Sequence, residues 1–288
     1  MAIIQCKECD YFITNGAKVC PNCGAPVIHD KSKRNKRMLI ATILLVLLVA
    51  VGFVTFALYQ GQENDDERLR TGLKYYEEKK FEEAIECFKT IAEKGRADAQ
   101  YHLGQCYYFG DETTKGYVEA FKWFSKAAEQ GYAKAQYNLG VCYSRGDGIQ
   151  QNHVEAVKWY RKAAEQGNTM AQFNLACYYH IGAGEVEPNP QEAIKWYKIA
   201  AEEGDMGAQN NLGSCYETGF GVEQDYNEAA KWYKLSADQG YTVAMFNIGM
   251  CYECGWGVEK NIEEAKRWYQ LAADKGTPEA VEALVRLQ

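Results

Sequence analysis

The chain has 288 residues, 47% of them hydrophobic, with a net charge of −7 and 11 cysteines. The charge is unevenly placed: residues 1–37 hold seven basic and three acidic side chains, and residues 63–288 hold 25 basic and 36 acidic ones. An acidic distal part argues against nucleic acid as its partner, and only five serines (32, 125, 144, 214 and 236) leave little room for serine chemistry.

The first motif is Cys6-Lys-Glu-Cys9, ten residues, then Cys20-Pro-Asn-Cys23-Gly24. Each pair lets two thiolates reach one ion from a tight turn, and four thiolates complete a tetrahedral shell with no open position. Cys6, Cys9, Cys20 and Cys23 are therefore expected to hold one structural Zn²⁺ per chain within residues 1–30. So short a segment cannot build an adequate core, so metal binding and folding should be coupled. Disulfides or a redox pair are the alternatives, and a reducing cytoplasm disfavours them. The knuckle CPNCG resembles the bacterial zinc-ribbon family, which often serves as a small recognition module without naming a partner.

Residues 31–37 (KSKRNKR) carry five basic side chains, and Met38–Tyr59 follows with 22 uncharged residues. As a helix that stretch is about 33 Å long, enough for a hydrocarbon core of ~30 Å. A core helix would show a polar stripe, which is absent here, and a cleaved signal would not follow a 37-residue lead with its own cysteine motif. The expectation is a single transmembrane helix at 38–59, a juxtamembrane segment at 31–37 and a linker at 60–66. Basic residues resist translocation, which puts the N-terminus in the cytoplasm of a bacterial cell and the distal domain outside it. Seven cysteines in that distal domain, an odd number, sit uneasily with an oxidising compartment.

Beyond the anchor the chain repeats. Glycines 95, 131, 167, 204, 240 and 276 end A-E/D-x-G stretches at spacings of 36, 36, 37, 36 and 36. The pairs Trp123-Phe124, Trp159-Tyr160, Trp196-Tyr197, Trp232-Tyr233 and Trp268-Tyr269 keep the same period. Such a period means stacked units that bury one another's apolar faces. Each unit reads as two helices, such as 133–145 and 153–166, joined by a turn such as Gly146-Asp-Gly148-Ile. Asn152, Asn189, Asp225 and Asn261 are expected to cap the second helices, and the glutamate three residues on completes capping-box spacing. Units fall at 96–131, 132–167, 168–204, 205–240 and 241–276. Residues 67–95 lack the tryptophan and form a divergent first pair; residues 277–288 form a closing helix with Thr277 as its cap. Cys106, Cys142, Cys215 and Cys251 recur three residues after an apolar position and read as small packing residues.

The elements A-x-x-N-L-G, G-x-G-V, D/N-x-x-E-A-x-K-W-Y and A-A-E-x-G together resemble the Sel1-like repeat family, relatives of the tetratricopeptide repeats. The resemblance implies an all-α, right-handed solenoid whose first helices line a concave groove that binds a protein or peptide. By the family register the groove holds Tyr101, Gln105 and Tyr108; Tyr137, Val141 and Ser144; Phe173, Cys177 and His180; Asn210, Ser214 and Glu217; and Phe246, Met250 and Glu253. The expected function is a membrane-anchored, non-enzymatic scaffold with no small-molecule substrate and no nucleic acid. The alternative is a cell-envelope enzyme or a regulator of one, and no S-x-x-K motif supports it.

Overall fold

The computed structural model describes residues 3–14, 16–27, 31–111 and 115–288. It divides into two compact units, Met1–Asp65 and Asp66–Gln288. In the first, β1 (Ile3–Gln5) pairs antiparallel with β2 (Phe12–Thr14), with Ile4 opposite Ile13. A bridge between Val19 and Pro26 closes the second knuckle. Helix α1 (Lys31–Glu77) then runs through residues 31–37, 38–59 and 60–66.

The linker expected at 60–66 is therefore helical. Gln60, Gln62 and Glu63 are good helix formers, and Gly61 alone costs only about 1 kcal/mol. Among the described residues no helix is long and apolar enough to cross a membrane. Much of the expected span falls outside that description, because the side chains of residues 38–43, 46, 49, 53, 54 and 56–59 are not described.

The second unit is a succession of helix pairs. The end of α1 pairs with α2 (Phe81–Glu93), followed by α3 (Ala97–Phe109) with α4 (Tyr117–Glu129) and α5 (Ala133–Arg145) with α6 (His153–Glu165). Next come α7 (Thr169–Ile181) with α8 (Pro190–Glu202), α9 (Met206–Thr218) with α10 (Tyr226–Asp238), and α11 (Thr242–Cys254) with α12 (Ile262–Asp274). Helix α13 (Pro278–Arg286) closes the array. From α2 onward each helix packs chiefly on its neighbours in sequence, as a solenoid requires.

One contact recurs in every pair but α7–α8, where Ala176 stands in place of the glycine. The second aromatic of the second helix lies flat against a glycine of the first. A Cβ on Gly140 would sit 2.7 Å from the Tyr160 ring, and Gly104 against Phe124, Gly213 against Tyr233 and Gly249 against Tyr269 give 2.7–2.8 Å. Gly72 of α1 meets Phe88 in the same way, so the divergent first pair uses the same packing. Burying such a ring stabilises by roughly 1.5–3 kcal/mol, and the missing methyl lets the helices approach closely enough to do it. The tryptophan one residue earlier is only half-buried in three pairs, and Lys126 and Lys162 reach over Trp123 and Trp159 at 4.0 and 3.8 Å.

The second glycine of the turn locks one pair to the preceding one. Gly257 has φ +68°, and a Cβ there would fall 1.9 Å from the Tyr226 carbonyl oxygen. No other residue fits both the backbone conformation and the contact.

Asn152, Asn189, Asp225 and Asn261 cap their helices, accepting from the Glu155, Glu192, Glu228 and Glu264 amides at 3.0–3.2 Å. The return half of the capping box is replaced. The cap amides of Asn152, Asn189, Asp225 and Asn261 already donate to Tyr143, Tyr179, Tyr216 and Tyr252 carbonyls of the first helix. The freed glutamates pair instead with the basic residue three positions on, as in Glu155–Lys158 at 2.5 Å. Thr277 occupies the last cap position without a side-chain capping bond, and Pro278 starts α13 unaided.

A buried glutamine bridges successive pairs. Gln100, Gln136, Gln172 and Gln209 donate to the carbonyls of Ala92, Ala128, Ala164 and Ala201 at the end of the preceding helix. In three pairs its carbonyl accepts from Gln130, Gln166 or Gln239, each at 2.7 Å. Glu203 takes that place in the third repeat and cannot donate, so Gln172 Oε1 is buried without a partner among the described residues. Glu203→Gln should therefore stabilise the solenoid by about 1 kcal/mol, raising its thermal midpoint by ~2–4 °C. An unchanged or lowered midpoint in a thermal melt would contradict the ladder.

Candidate functional site

The first helices α3, α5 and α7 together wall a pocket of about 700 Å³. The lining residues of α5 lie on a face beside the one that Gly140 presents to Tyr160, and Tyr160 itself reaches the pocket. Tyr101, Gln105 and Tyr108 line the pocket from α3, Tyr137, Val141 and Ser144 from α5, and Cys177 from α7. Tyr101 is buried and packs tilted against Tyr132, with ring centroids 5.2 Å apart. Two hydroxyls are already committed: Tyr108 donates to Asp147 at 2.5 Å and Tyr178 to Ser144 Oγ at 2.7 Å.

The remaining expected groove residues lie outside this pocket. Phe173 packs toward Tyr197, and His180 stacks on Phe220 with centroids 4.2 Å apart. Asn210 is buried and accepts from Asn247 at 3.0 Å, a bridge from α11 to α9. Ser214 is half-buried, as are Phe246 and Met250, which pack into the last core cluster. Glu217 accepts from the Tyr233 hydroxyl, and Glu253 accepts from Tyr269 and Arg286, each at 2.7 Å.

Sequence reasoning passed over Asn138 and Asn174, which also line the pocket. The signal was present. Asparagine at a fixed place inside a helix is a poor helix former, and A-x-x-N-L-G repeats it one residue before a core leucine. The repeat pattern does not demand Lys134 or Arg145, and Tyr178 stands where the other first helices have the packing cysteine.

The pocket's thiol is not an activated nucleophile. Burial raises the Cys177 pKa, and the Tyr197 hydroxyl donates to its sulfur at 3.5 Å. Cys106, Cys142, Cys215 and Cys251 are buried, and burial pushes each up to about 12. Cys254 is exposed, so Cys251 and Cys254 do not share an environment.

In the first unit the four sulfurs of Cys6, Cys9, Cys20 and Cys23 all lie within 4.8 Å of one another. Cys6 to Cys23 is 3.7 Å and Cys9 to Cys20 is 3.6 Å. A tetrahedron with metal–sulfur bonds of about 2.3 Å has edges of about 3.8 Å, so the donor set fits Zn²⁺ in size and chemistry. Two equivalent turns build it. Cys6 donates its amide to Tyr11 and Cys20 to Ala25, at 2.9 and 2.8 Å. Gly24 follows the second pair at φ +74°, and Asp10 takes the corresponding place after the first at φ +57°. That match between an aspartate and a glycine was not legible from spacing alone.

The fold and pocket define a helical-repeat protein with a groove along its first helices. The Sel1 repeat profile matches residues 97–132, 133–168, 169–205, 207–241 and 242–277, and the chain belongs to the Sel1 repeat family. A Sel1 repeat protein from Oxalobacter formigenes is 38% identical with a TM-score of 0.69, the match covering 75% of this chain and 86% of that one. The c5321 protein, a protective antigen present in uropathogenic Escherichia coli strains displaying an SLR fold, is 41% identical with a TM-score of 0.68. That match covers 70% of this chain and 43% of c5321, so the chain spans less than half of that protein. No curated protein matches the sequence significantly. Sel1-repeat proteins are in general modules that bind other proteins.

The thiol environments make a testable pattern. With pKa values near 12, only about one part in 10⁴ of each buried thiol is thiolate at pH 8. Iodoacetamide should label Cys254 in the native chain and reach Cys106, Cys142, Cys215 and Cys251 only in denaturant, as read by peptide mass spectrometry. Because folding raises these pKa values, their contribution is present below about pH 9 and is lost as pH climbs through the folded values. Native labelling of Cys142 as fast as Cys254 would contradict the burial.

Proposed function

We propose that this chain is a membrane-anchored, non-enzymatic scaffold that holds an extended segment of a protein partner across α3, α5 and α7. The observation that carries this reading is the pocket itself, in which Asn138 and Asn174 stand at repeat spacing among Tyr101, Tyr108, Tyr137 and Tyr178. Two amides one repeat apart suit the carbonyl and N–H groups of an extended backbone, and the rings offer contact area at low rotamer cost. Recognition of this kind binds without transforming what it binds.

Anchoring is proposed for Met38–Tyr59. Leu44, Leu45, Leu47, Leu48 and Val51 are each more than half exposed along one broad side of α1, which suits immersion in lipid. The basic segment Lys31–Arg37 then keeps the N-terminus cytoplasmic and the solenoid outside. Cys6, Cys9, Cys20 and Cys23 would hold one structural Zn²⁺, which would supply folding energy to residues 3–27 and no reaction step. The layout is a connector with a recognition module on each face of the membrane.

Asn138→Ala with Asn174→Ala should weaken capture of a partner crosslinked from intact membranes by roughly tenfold or more, with the far-UV helical signal unchanged. Undiminished capture would remove the groove assignment. Topology has its own reporter: an impermeant maleimide on intact cells should label Cys254 and spare the four N-terminal cysteines. The opposite pattern would put the solenoid in the cytoplasm. For the metal, one Zn²⁺ per chain is expected by mass spectrometry under native conditions, and none in Cys20→Ser.

A further inference from the structure

We infer that the segment bound in the α3–α5–α7 pocket is acidic, carrying at least two carboxylates. This inference rests on the groove reading above and adds the chemistry of the ligand. The pocket is lined by two cations, Lys134 and Arg145, and by no aspartate or glutamate. That is the reverse of its surroundings, because residues 63–288 carry 36 acidic side chains against 25 basic ones.

The two cations are not a product of the repeat. Lys134 is the second residue of α5 and Arg145 its last. The matching places are Asp98 and Phe109 in α3, Met170 and Ile181 in α7, Gly207 and Thr218 in α9, and Val243 and Cys254 in α11. Only α5 has a cation at both ends, so packing does not require them. Both side chains are exposed, and among the described residues no carboxylate pairs with either within salt-bridge distance. Asp147 attracts Arg145 without forming an ion pair at contact distance; it lies outside the pocket lining and accepts the Tyr108 hydroxyl.

Spacing adds a constraint. Eleven residues of helix put Lys134 and Arg145 about 16 Å apart along the axis, at opposite ends of the pocket. One carboxylate cannot serve both, so the ligand needs acidic groups toward each end. The sign then reverses farther along the array. Where α3 and α5 have Tyr108 and Ser144, α9 has Glu217 and α11 has Glu253, the latter ion-paired with Arg286. An acidic segment is thus drawn to the α3–α7 stretch and repelled from Glu217 on α9, which fixes where on the solenoid it sits.

The test uses the full chain, purified in detergent, to select from a random 12-residue peptide library displayed on phage. Selected peptides should be enriched in Asp and Glu over the unselected library. A synthetic copy of one such peptide should bind the Lys134→Ala, Arg145→Ala double variant about five- to thirtyfold more weakly. Lys134→Glu should shift selection toward basic peptides, a gain that misfolding cannot mimic. Peptides captured without acidic excess, or held equally by the double variant, would overturn this inference and leave the groove reading standing. Failure to capture any peptide would overturn both.

Discussion

The solenoid depends on one contact, an aromatic ring pressed onto a helix where a side chain is missing. Phe88, Phe124, Tyr160, Tyr233 and Tyr269 each meet a glycine at a distance that would put an added methyl inside the ring. The arrangement sets how closely the two helices of a pair approach and which face of the first helix is consumed by the core. An adjacent face is left uncovered, and α3, α5 and α7 build the pocket from it.

The third repeat shows how the array tolerates departures. It is the 37-residue unit, and Ala176 stands where its neighbours have glycine, yet Tyr197 remains buried. Its turn differs too, with Ala183 and Val186 bridged and Gly182 at ψ 159° where Gly146 and Gly219 have ψ 24°. Glu203 breaks the glutamine ladder in the same unit. Because each unit contacts only its neighbours, such changes are absorbed locally. The same unit supplies Asn174, Cys177 and Tyr178 to the pocket, so these departures lie beside the place where binding is proposed.

Much of this was legible from residues alone. Period, caps and left-handed glycines follow from short-range chemistry, and helix pairs can be read from them directly. The cysteine quartet was legible for the same reason, since a CxxC turn is a local object. Less accessible was anything set by contact between units. The glutamate of the capping box turned outward because a first-helix carbonyl had already taken the cap amide. The buried glutamines carry no local signal of burial, because the Ala92, Ala128, Ala164 and Ala201 carbonyls that they meet come from the preceding helix. A register borrowed from the family put Asn210 in the groove, where it instead ties α9 to α11. Charge was hidden as well, because an average over the acidic domain conceals Lys134 and Arg145 on one helix.

The most direct measurement is hydrogen–deuterium exchange of the solenoid with and without a captured partner segment. The account predicts added protection in α3, α5 and α7, with α4, α6 and α8 unchanged apart from global stabilisation. Protection centred on the second helices, or on α9 and α11, would place binding on a different surface and contradict it.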